Sequence, residues 1–133
     1  MSGFRFLNPD TLPAPKGFNH AVVVPAGRSI VFVAGQIGCD RNGAIVSSDL
    51  VEQFETALRH VVEVVSQAGG SPESVARLTI YVTDIVEYRA RLKGLGQAYR
   101  RVMGKHFPAM ALMEVKSLFV PNCKLEVEAT AFV

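Results

Sequence analysis

The chain has 133 residues, 49% of them hydrophobic and 20% charged; that is about one domain's length, and the composition excludes a disordered chain. A net charge of +2 leaves no electrostatic footprint for nucleic acid. Cys39 and Cys123 are too few for a disulfide framework, no apolar run approaches the roughly 18 residues of a membrane span, and no leader opens the chain. The expectation is a single cytoplasmic domain over residues 1–133 with both thiols free.

Pro9, Pro13, Pro15 and Gly17 make residues 1–19 an extended arm after a short strand over Phe4–Leu7. Ala21–Pro25 and Ser29–Ala34 are β-branched runs separated by Ala26-Gly27, which reads as a hairpin. Gly35-Gln36 ends the second of these strands, and Asp40-Arg41-Asn42-Gly43 has turn composition. A helix follows, with Asp49 as its cap and Glu52 as the capping-box partner. Leu50, Phe54, Ala57, Leu58, Val61, Val62, Val65 and Ala68 recur at helical spacing, and Gly69-Gly70 stops the helix. Ser71-Pro72 starts one further helical turn.

Val75–Thr83 alternates, with Leu78, Ile80 and Val82 on one face and Arg77, Thr79 and Tyr81 on the other: a half-buried strand. Asp84 and Glu87 form a second capping box, and Tyr88, Leu92, Leu95, Tyr99, Val102 and Met103 make the next apolar stripe. Gly94 and Gly96 each weaken that helix by about 1 kcal/mol relative to Ala. Its basic residues, Arg89, Arg91, Lys93, Arg100, Arg101 and Lys105, read as a solvated face. Strands near Ala109–Leu118 and Lys124–Phe132, joined by a turn at Pro121-Asn122, close the chain.

The order strand, strand, strand, helix, strand, helix, strand, strand describes an α+β fold, a mixed six-stranded sheet with two helices on one face. The other face needs apolar cover, and self-association is the simplest source. On the last strand Leu125, Val127, Ala129 and Ala131 point one way; Glu126, Glu128, Thr130 and Phe132 point the other, a mixture suited to a partly wet interface.

His20, His60 and His106 lack metal-ligand spacing, and neither cysteine has a CxxC partner, so no metal is expected. Ser47, Ser48 and Ser71 fit capping and turns, since no G-x-S-x-G is present; nor is there a P-loop or a dinucleotide fingerprint.

Several pieces resemble, in order and spacing, the Rid (YjgF-like) family of imine and enamine deaminases. They are Gly17-Phe18-Asn19-His20-Ala21-Val22, Val33-Ala34-Gly35-Gln36-Ile37, the capped first helix, Val82-Thr83-Asp84, Phe107-Pro108-Ala109 and Glu126-Val127-Glu128-Ala129. The resemblance runs from Gly17 to Ala131. It implies a chorismate-mutase-like homotrimer whose sheets form a central barrel, with small-molecule clefts between subunits. It also implies cofactor-free hydrolysis of small imines or enamines. In that family an arginine on the fifth strand forks onto the substrate carboxylate, a glutamate on the last strand positions water, and a tyrosine near the first hairpin closes the pocket.

Carried over, Glu126 matches the water-positioning glutamate and Gly35 the glycine lining the cleft, while Met110 replaces the arginine. Phe18 falls on the tyrosine without its hydroxyl, and Leu112 falls where many members carry cysteine. Losing one charged anchor costs carboxylate turnover a factor of about 10² to 10³, by analogy with an oxyanion donor. Met110 thus reads either as a pocket retuned to an apolar substrate or as a cleft packed shut. Glu126 reads as a water anchor, or as a strand carboxylate satisfied across the sheet. Arg89, Arg101 or a neighbouring subunit are the substitutes to consider for the missing charge. His20 flanks the expected cleft. The leading function is a hydrolase of altered substrate preference. The alternatives are a non-catalytic trimer binding an apolar metabolite or protein partner and, third, the endoribonuclease action ascribed to some relatives.

Overall fold

A computed structural model describes residues 3–133, so the first two residues of the expected arm lie outside the described part. The elements are β1 (Arg5–Leu7), β2 (Ala21–Val23), β3 (Ile30–Gln36), α1 (Leu50–Gln67), a 3-10 turn (Pro72–Ser74), β4 (Val75–Val82), α2 (Ile85–Ala90), α3 (Leu92–Met103), β5 (Ala109–Glu114) and β6 (Leu125–Phe132). The α+β class and the six strands stand as expected, but the strands do not join in one six-stranded sheet, because β1 and β2 pair only with each other. The strands divide into a four-stranded sheet ordered β3-β6-β4-β5 and a two-stranded sheet of β1 and β2. β4 and β5 run parallel; the other pairs are antiparallel.

The expected hairpin between the Ala21–Pro25 and Ser29–Ala34 runs does not form. β3 ladders with β6 instead, a pairing extended by mutual bonds of Ser29 and Val133 at 2.8 and 3.0 Å. β2 pairs with β1. That pairing continues through side chains, since Asn8 Oδ1 accepts from the His20 amide at 2.8 Å and Asn8 Nδ2 donates to Asn19 Oδ1 at 2.7 Å. Asn19 also donates from Nδ2 to the Phe107 carbonyl at 2.5 Å and from its amide to the Pro108 carbonyl at 3.1 Å. The arm is thereby held beside the start of β5.

Asp49 caps α1 by accepting from the Glu52 amide at 3.0 Å. The amide that a capping box would give to Glu52 goes to Ser47 Oγ at 2.9 Å. Gly69, at φ 92, ends the helix, with the amides of Gly69 and Gly70 returning to the carbonyls of Ser66 and Val65. The helical stripe from Leu50 to Val65 is buried against the inner faces of β6 and β3. Each such aliphatic or aromatic side chain contributes about 1.5–3 kcal/mol by leaving water. Gln53 is fully buried inside the same helix; its Nε2 donates to the carbonyls of Ser47 and Asn122 at 2.8 and 3.2 Å, and its Oε1 accepts from the Lys124 amide at 2.8 Å. The loop before α1 and the turn before β6 are thus fastened to one side chain.

The second predicted helix is two helices. The break falls at Arg91 rather than at either glycine, and the Arg91 guanidinium reaches Asp49 at 2.9 Å. Asp84 caps α2 through the Glu87 amide at 3.0 Å. The Glu87 carboxylate pairs with Lys124 Nζ at 2.9 Å instead of closing a capping box. Among the described residues no helix is long and apolar enough to cross a membrane.

Candidate functional site

β4 and β6 alternate as their sequences dictate, so one sheet face is packed under the helices and the other is open. The five expected site residues fall on both sides of it. Met110 and Leu112 lie beside Leu78 and Ile80 in the parallel register, hence on the helix side of β5. With Phe18 they line a groove of about 550 Å³ whose other walls include Phe54, Tyr88 and Tyr99, within the range of small-molecule pockets. Phe18 reaches this groove because Asn19 pins the arm to Phe107 and Pro108; its ring meets His20 edge-on at 5.2 Å.

Glu126 and Gly35 share the open face. β3 carries a bulge between Val33 and Gln36, which leaves Ala34 and Gly35 without ladder partners. A side chain at Gly35 would overlap the Glu126 carboxylate where it lies and would make that side chain move aside. Among the described residues no hydrogen bond or salt bridge engages Glu126, whereas its neighbour Glu128 accepts from the Tyr81 hydroxyl at 2.6 Å. That bond, with a smaller desolvation effect, raises the Tyr81 phenol above its ordinary value and keeps it a donor. A cavity of about 260 Å³ lies beside Glu128, lined also by Arg77, Thr79 and Phe32.

Residue patterns along the chain do not single out Tyr88, Tyr99, Arg100 or Lys16, all of which line the groove. Tyr88 and Tyr99 were part of an apolar stripe and counted as core. Burial pushes the Tyr88 phenol up to about 12, so it is a neutral donor, and no hydrogen bond among the described residues engages it. Tyr99 also lines the groove, but its hydroxyl is committed to the His106 carbonyl at 2.6 Å. Arg100 is solvent-exposed, as expected of the basic face of the second helix, and from there it also lines the rim of the groove. Helical spacing from Leu92 and Gly96 was the signal that could have placed it there.

The named substitutes for the missing charge fare differently. Arg101 is committed to Glu55 at 2.6 Å, and Arg89 is not part of the groove wall. The three histidines each place Nε2 against a backbone carbonyl, of Pro13, Cys39 and Val75 respectively. Cys123 is buried, which pushes its thiol up, and contacts the Leu125 carbonyl at 3.0 Å. Among the described residues no cluster of three or more His, Cys, Asp or Glu is placed to hold a metal.

An α+β unit with a bulged edge strand beside a free glutamate, and an apolar groove under the opposite edge strand, defines a class of small protein. The sequence profile of the endoribonuclease L-PSP family matches residues 10–133, and the chain belongs to this family, the Rid (YjgF-like) proteins. The Rid-family protein YyfB of Yersinia pestis superposes with a TM-score of 0.86 over 100% of both chains at 33% identity. A RutC family protein of Pyrococcus abyssi is 30% identical over 122 residues, 90% of each chain. The human 2-iminobutanoate/2-iminopropanoate deaminase is 28% identical over 102 residues, covering 76% of this chain and 71% of that one.

Proposed function

We propose that the chain is a hydrolase of small reactive imines or enamines with a more apolar substrate preference than a β5 arginine would give. The observation that carries this is Glu126, a carboxylate that among the described residues has no hydrogen-bond or salt-bridge partner, beside a glycine where a side chain would crowd it. The name of the human relative supports the reaction class.

Glu126 holds a water molecule and accepts its proton as the oxygen attacks the carbon of a protonated imine. The proton is then returned to nitrogen in the resulting carbinolamine; its C–N bond breaks as the hydroxyl gives its proton back to Glu126, releasing ammonia and leaving a carbonyl product. An enamine enters the same sequence after tautomerising to its imine. Since Glu126 and the groove of Phe18, Met110 and Leu112 lie on opposite sheet faces, one site containing both is completed between copies. The homotrimer is the arrangement we infer, its subunits covering the open faces.

The test measures carbonyl-product release from imines generated in situ from a panel of amino acids. Acceleration by the wild-type protein, reduced by at least about 10²-fold in Glu126→Gln with fold and assembly unchanged, is the expected result. A wild-type protein that accelerates none of these imines would leave only the binding role. The net charge of only +2 favours that second reading over ribonuclease action, because nucleic-acid binding rests on a broad basic surface.

A further inference from the structure

The groove under β5 is apolar in its walls yet not neutral in its charge. Among the described residues its lining holds two charged side chains, Lys16 and Arg100, both cationic, and no carboxylate. The neighbouring arginines of α2–α3 are neutralised: Arg91 by Asp49 at 2.9 Å and Arg101 by Glu55 at 2.6 Å. Arg100, one residue from Arg101, enters no salt bridge among the described residues. Its guanidinium lies over Gly96: a β-carbon built at Gly96 meets only Arg100 Nη1, at 3.7 Å. Glycine there costs the helix about 1 kcal/mol relative to alanine and keeps the groove floor open beneath the cation.

We propose that Arg100, seconded by Lys16, is the carboxylate anchor of this groove, and that its ligand is an amphipathic monocarboxylate whose apolar body lies against Met110, Leu112 and Tyr88. A planar guanidinium is suited to fork onto two carboxylate oxygens. Met110 does not abolish anion recognition under this reading; it hands the charge from the strand to the helix and lengthens the apolar path between anchor and strand. The proposal deepens the hydrolase reading by assigning its substrate class, 2-imino acids or related imines bearing an extended apolar segment and a carboxylate.

The test compares 4-phenylbutyrate with its primary amide, isosteric but uncharged, by titration at low salt against the full chain. The acid should bind about tenfold more tightly than the amide, a difference of about 1.4 kcal/mol. Arg100→Gln should erase that preference while Lys93→Gln, on the same helix outside the groove, preserves it. Gly96→Leu should weaken both probes by occupying the floor. Equal binding of acid and amide to the wild type, binding of neither, or a preference that survives Arg100→Gln would overturn the proposal. Imine turnover is measured on the same preparations. Turnover without acid preference defeats the anchor alone; acid preference without turnover defeats the hydrolase reading and leaves the anchor standing.

Discussion

Met110 concentrates the chemical question at the scale of one residue. Its thioether lines the groove on β5, at the position where, on the proposed reading, a forked cation would meet a substrate carboxylate. Leu78, its register partner, is fully buried, so the side chain at 110 is directed to the helix side and toward the groove. Met110→Arg should raise kcat/KM on short 2-iminocarboxylates by about tenfold or more, since a hydrogen bond to a charged group contributes about 1.5–3 kcal/mol. Steady-state kinetics on the imine of alanine checks this. A folded, assembled variant with no gain would show that position 110 does not face the substrate.

At the scale of elements, α1 and α3 are clamped by Glu55, which accepts from Arg101 at 2.6 Å and from Arg59 at 2.7 Å. The hydrogen bond from Arg101, then that from Arg59, holds the Glu55 carboxyl below its ordinary value of 4.5. A carboxylate with a depressed folded-state pKa adds stability fully above its unfolded value and loses it as pH falls through the folded value. Both arginines are about half exposed, so the contribution is small and weakened by salt. Glu55→Gln should therefore melt slightly below the wild type at pH 7, and the gap should close as pH falls below about 4.5. Thermal melts at a series of pH values check it; a gap independent of pH would mean the pair contributes by packing alone.

The whole molecule leaves one sheet face uncovered. Phe32 is 79% exposed there and Ile30 54%, on the edge strand beside Glu128 and Thr130. Exposed aromatic and aliphatic side chains on a mixed polar face fit an interface between copies. On the proposed assembly, Phe32→Asp should shift the mass in light scattering from the inferred trimer to the monomer and abolish the proposed imine turnover along with it. A wild type that is monomeric at micromolar concentration would remove the basis for a shared site.

Much of this architecture was legible residue by residue. The alternation of β4 and β6, the stripe of α1, the Asp49 and Asp84 caps and the Gly69 stop each follow from the local geometry of the backbone, which repeats every two or 3.6 residues regardless of what lies across from it. Glu126 and Gly35 were legible as a pair only through family motifs, because their proximity depends on β3 finding β6 across most of the chain. Nothing local could reveal that β2 would turn to β1 or that the helix would break at Arg91 to reach Asp49. Neighbours along the chain set the strands, the first helix and the faces these bury, since both follow from local periodicity. Strand order, the groove and the division of the site between two sheet faces were decided by tertiary contacts, because each joins residues whose meeting is selected only when the whole core packs.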